Sequence, residues 1–69
     1  MDDIFGRLQF LAYSARMVGQ EIHVNAHGVP LIIRESNGRY AVSHADGHQI
    51  TRMCNDPDHV VSEVKDWRA

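Results

Sequence analysis

Five histidines and a single cysteine are the residues of this 69-residue chain with the most chemistry to offer. Two histidine pairs, His23 with His27 and His44 with His48, have the HxxxH spacing that sets two imidazoles on one face of a helix. Both pairs fall in segments of strand and turn character, where that spacing has no such meaning. In an antiparallel meander, however, alternate turns share one end of the sheet. That placement would gather His27, His44 and His48 into one neighbourhood with Asp46. Imidazole suits zinc, copper or nickel, so these three histidines are weak metal candidates. The expectation is surface histidines, with no resident metal or other cofactor. Cys54 and His59 lack the paired cysteines of a zinc module.

The same residues make a poor catalytic set. Ser43 and His44 are neighbours in a strand and so point to opposite faces. Cys54 precedes a helix start, where the dipole lowers a thiol pKa, with His59 following it, but no third group completes the arrangement. The carboxylates lie in turns and at helix ends, where capping accounts for them. A chain this small also has little room to enclose a substrate. The protein is therefore expected not to be an enzyme.

Charge narrows the partners. The net charge is -2 and the pI near 6.1, so no overall positive field attracts nucleic acid or an anionic membrane. The basic residues Arg7, Arg16, Arg34, Arg39, Arg52, Lys65 and Arg68 are scattered, and no aromatic stacking set accompanies them. Nucleic-acid binding is the rival reading from another class, because a local arginine patch can outweigh a slightly negative total. The lone cysteine excludes an intrachain disulfide, the opening Met1-Asp2-Asp3 lacks the basic region of a signal peptide, and no apolar run approaches spanning length. A cytoplasmic protein is expected.

The elements that must position these residues can be read from periodicity. A hydrophobic fraction of 43% against 23% charged residues is ordinary for a globular chain, and residues 1–69 form a single domain. Ile4, Leu8, Leu11, Ala15 and Val18 recur at helical spacing, which predicts a helix from Asp2 to Val18 stopped by Gly19. From Glu21 the period becomes two: Ile22, Val24 and Ala26 alternate with His23 and Asn25. A turn at His27-Gly28 leads to a second strand, Val29 to Glu35, with Val29, Leu31 and Ile33 facing the core. Asn37-Gly38 is a strong two-residue hairpin signal, and pairing outward from it sets Glu35 against Tyr40 and Ile33 against Val42. Pro30 then lies where the neighbouring strand has ended, which suits its missing donor. A three-residue loop, Ala45-Asp46-Gly47, would pair Ile50 with Val42 on the core face and His44 with His48. The last segment predicts a helix capped by Asn55 or Asp56, with Pro57 at its first position and Val60, Val61, Val64 and Trp67 inward. The expected fold class is α+β: an N-terminal helix, a four-stranded antiparallel β-meander and a C-terminal helix, both helices on one face of the sheet.

Two surfaces remain once the core is assigned. On the first helix Phe10, Tyr13 and Met17 form a second apolar stripe, with Gly6 on the same side and Arg7 and Arg16 nearby. One helix of a two-layer domain buries one face, so this stripe reads as a partner surface, for a foreign protein or for a homodimer through the helix. The bland alternative is a helix tucked edgewise into the core. The outer sheet face carries His23, Asn25, Ile32, Arg34, Ala41, Ser43 and Thr51. It is polar enough to be merely solvated, or it uses Ile32 as an anchor bordered by Arg34 and Arg39. No motif ties the chain to a named family. By size and elimination it is expected to be a non-enzymatic protein-binding module acting by occlusion or scaffolding. Small phage or mobile-element inhibitors of host complexes, anti-CRISPR proteins among them, are one class of this kind; a small homodimeric structural subunit is another alternative.

Overall fold

Asp2 and Asp3 open the first helix where its dipole favours negative charge, and Ile4 and Leu8, one turn apart, are its buried residues. A computed structural model describes residues 1–47 and 51–67 of the chain. In it the order is α1 (Asp2–Phe10), β1 (Ser14–Val18), β2 (Glu21–Ala26), β3 (Val29–Ser36), β4 (Arg39–His44), β5 (Arg52–Cys54) and α2 (Pro57–Asp66). The strands form one antiparallel sheet in chain order, and both helices pack on it.

The α+β class and the placement of the helices are as expected, but the sheet has five strands rather than four. The expected helix from Asp2 to Val18 ends at Phe10, and its second half is β1. The stop is a backbone device that composition does not advertise. Ala12 takes a left-handed conformation (φ 68°), its N–H donates to the Gln9 carbonyl, and the Tyr13 N–H donates to the Leu8 carbonyl. This is a Schellman termination with alanine where glycine is usual. Gly19, expected to stop the helix, instead opens the two-residue turn between β1 and β2 with φ 61°. Gln20 does not share the positive φ, which makes this a II′ hairpin turn.

Between β3 and β4 the expected register holds, with Ile33 opposite Val42 and Glu35 opposite Tyr40. Between β2 and β3, Ile22 pairs with Ile33 and Val24 with Leu31. The Pro30 carbonyl accepts from the Ala45 N–H just beyond the end of β4, so the prolyl nitrogen faces a ladder that has finished. The last strand differs: Val42 pairs with Arg52, not with Ile50. The shift is two residues, so the inward and outward faces are preserved. Arg52 stays on the inner side because its guanidinium lies 4.2 Å from the Trp67 ring centre and reaches Glu63 of α2. Ile50 and the expected partnership of His44 with His48 lie outside the described residues.

The core joins Ile4 and Leu8 of α1 and Val60, Val61, Val64 and Trp67 of the C-terminal segment to Ile22, Val24, Ala26, Val29, Leu31, Ile33, Val42 and Cys54 of the sheet. Asp56 caps α2 by accepting from the His59 N–H. α1 lies over β1 and against α2, while α2 lies over β4 and β5.

Candidate functional site: the open edge of β1

The stripe Phe10-Tyr13-Met17 does not exist as a helix face, because only Phe10 is helical. Phe10 is 89% exposed at the last turn of α1, beside a groove of about 450 Å³ between the helices that Gly6, Arg7, Leu11, Val61 and Lys65 help to line. Tyr13 and Met17 are brought together all the same, by strand spacing. With Ala15 they alternate along the inner side of β1, since Ala15 pairs with the buried Val24 and Met17 with the buried Ile22. Tyr13 and Ala15 are half-buried against the core, and Met17 is 38% exposed. The Tyr13 hydroxyl lies 3.4 Å from His27 Nε2, with the two rings edge-on.

β1 is an edge strand, and its hairpin register fixes which backbone groups are left over. A two-residue turn is flanked by a hydrogen-bonded pair, here Val18 and Glu21, and bonded pairs alternate with unbonded ones along the ladder. Ser14, Arg16 and Val18 therefore bond to β2. The N–H and C=O groups of Ala15 and Met17 point away from the sheet. Natural edges are usually blunted by proline, lysine, a bulge or extreme shortness. β1 has five residues paired without interruption and neither proline, lysine nor bulge; its one charged residue is Arg16, at the centre of the strand. The opposite edge, β5, has three residues and is tied to α2 through Arg52 and Glu63.

The outer face carries His23, Asn25, Ile32, Arg34, Ala41 and Ser43 as expected, and β1 adds Ser14, Arg16 and Val18 to it. Helical spacing groups Val18 with the core; strand alternation turns it outward instead. Met53, opposite Ala41, is a second exposed apolar residue that the periodicity did not single out. Glu21 sits between Arg34 and His23 and bonds to both side chains. The Arg34 guanidinium first, then His23, hold its carboxyl below the usual glutamate value. Ile32 is half-buried and Arg39 is exposed near the β3–β4 turn. The three arginines Arg7, Arg34 and Arg52 are in ion pairs with Asp58, Glu21 and Glu63. Among the described residues Arg16 has no such partner.

The histidines are divided. His27 meets Tyr13, His44 pairs with Asp46, His23 with Glu21, and His59 approaches Glu63 at 3.5 Å. Among the described residues no three His, Cys, Asp or Glu side chains gather as a metal site; of the weak candidates His27, His44 and His48, the last lies outside those residues. Ser43 and His44 fall on opposite faces. Cys54 is buried, and burial, followed by the charges of Glu63 and Asp56, pushes its thiol pKa up, the reverse of what a nucleophile requires. Among the described residues no helix is long and apolar enough to cross a membrane. Comparison with family models, with curated proteins and with solved structures finds no match.

Proposed function

We propose that the protein is a non-enzymatic protein-binding module, working by occlusion or scaffolding, and that its working surface is the open edge of β1. The observation that carries this reading is the pair of outward-facing backbone positions, Ala15 and Met17, beside the half-buried side chains of Tyr13 and Ala15 and the exposed side chain of Met17. A strand added there satisfies the free N–H and C=O groups and extends the inner apolar face in one step. Arg16 supplies the rim charge on the outer side, with Ile32 and Arg34 farther across the sheet.

The Phe10 groove between the helices is a separate surface, and an aromatic ring this exposed favours it as a second contact. It is not continuous with the outer sheet face, which lies on the other side of the strands.

The test is affinity capture from nuclease-treated source-cell lysate with wild type and Ala15→Pro. Proline at position 15 removes an outward N–H but no bond within the sheet, so the variant keeps the fold. A partner held by wild type and lost by Ala15→Pro is the expected result. Equal retention by the two, with the variant folded by circular dichroism, would move the function away from this edge.

A further inference from the structure

The open edge selects its occupant by charge, and we infer that it takes an antiparallel strand of a different protein in which an acidic residue lies across from Arg16 between two apolar residues. This inference rests on the edge-binding reading above and adds the chemistry of the partner.

The geometry first disfavours a second copy of the chain. Outward bonding is available at Ala15 and Met17, so a two-fold antiparallel pairing that bonds Ala15 of one copy to Met17 of the other uses both positions fully. That register is centred on Arg16 and stacks the two Arg16 side chains against each other, and like charges directly across a ladder repel. Centring on Ala15 instead sets Tyr13 opposite Met17, but the Tyr13 N–H is already donated to the Leu8 carbonyl. Centring on Met17 sets Ala15 opposite Gly19, which belongs to the turn. Each symmetric register thus loses either charge compatibility or ladder bonds.

A foreign strand escapes these conflicts when its charge is the opposite one. Arg16 lies on the outer face, and Glu21, the carboxylate on the neighbouring strand, is held by Arg34 and His23. A hollow of about 390 Å³ lies on the sheet side of Arg16, over β2 and β3, whereas a carboxylate on an added strand meets Arg16 from the solvent side, beyond β1. On the inner side, residues opposite Ala15 and Met17 would continue the row toward the core and must be apolar. The recognition pattern is therefore apolar–acidic–apolar in extended conformation.

The experiment uses two blocked pentapeptides, Thr-Val-Glu-Val-Thr and Thr-Val-Lys-Val-Thr, titrated into the isotope-labelled full chain and followed by amide chemical shifts. The glutamate peptide should shift the Ala15 and Met17 amides most and bind about fivefold more tightly than the lysine peptide. Arg16→Gln should abolish that preference and Arg16→Glu should reverse it. Equal binding of both peptides at β1 would overturn the acidic strand while leaving edge pairing in place. No β1 shift with either peptide would overturn both readings. Protected Ala15 and Met17 amides in a peptide-free sample of doubled mass would do the same, by making the second copy the occupant.

Discussion

Ala12 occupies a backbone position that disfavours every L-residue, yet the end of α1 depends on it. Its left-handed φ lets two N–H groups return to the last turn, and in doing so converts the following residues from helix to strand. An L side chain in that region costs about 1–2 kcal/mol, partly offset by the greater unfolded-state freedom of glycine. Ala12→Gly should accordingly stabilise the domain by about 0.5–1 kcal/mol in urea denaturation; a loss of stability would mean that the chain does not turn at this residue. Glu21 gives the second residue-level expectation. Its carboxyl is held below the ordinary value of 4.5 by Arg34 and then by His23, so its favourable contribution is fully present above that value and is lost as pH falls through the lowered folded value. The stability difference between wild type and Glu21→Gln should therefore be constant at neutral pH and close in acid. A difference that widened on acidification would contradict the pairing.

At the scale of the element, β1 explains both what could be read in the chain and what could not. Its backbone directions give a paired expectation: Ala15→Pro removes an unbonded N–H and should change stability little, whereas Arg16→Pro removes a ladder bond to β2 and should cost about 1–3 kcal/mol. Thermal melts of the two variants check the register, and equal losses would disprove it. The strands from Glu21 to His44 were legible because alternation and the Asn37-Gly38 turn agree on one register. The capped second helix was legible from Asp56, Pro57 and the valine spacing. β1 was not. Leu8, Leu11, Ala15 and Val18 fit helical spacing, while Ala15 and Met17 against Arg16 and Val18 fit alternation, and no proline or glycine separates the two patterns. Pairing with β2 decides it, and that is a tertiary interaction. The slip at β5 has a similar origin, since Arg52 reaches the inner face by stacking on Trp67 and pairing with Glu63. Of the candidate residues, Tyr13, Arg16 and Met17 gather at one strand edge, Tyr13 and Met17 on its inner side and Arg16 on its outer side; Phe10 is left to the helix groove, and Ile32, Arg34 and Arg39 to the outer sheet face.

The whole molecule is built so that its core leaves one sheet margin unfinished. Its radius of gyration, 10.6 Å, is close to the ~11 Å of a globular chain of this length, and its core side chains are apolar throughout. α2 covers the inner face over β4 and β5 and α1 covers part of β1, but among the described residues no strand pairs with the outer side of β1, and its apolar row is only partly covered. That combination is costly in isolation, because an open edge invites unspecific pairing. It becomes useful when the partner supplies the missing strand. The central claim is that this edge is free in the isolated protein, and residue-resolved amide hydrogen exchange at low concentration tests it most directly. Ala15 and Met17 should exchange nearly as fast as unprotected amides while Arg16, between them, exchanges slowly. Slow exchange at Ala15 and Met17 would show the edge already covered and would contradict the account.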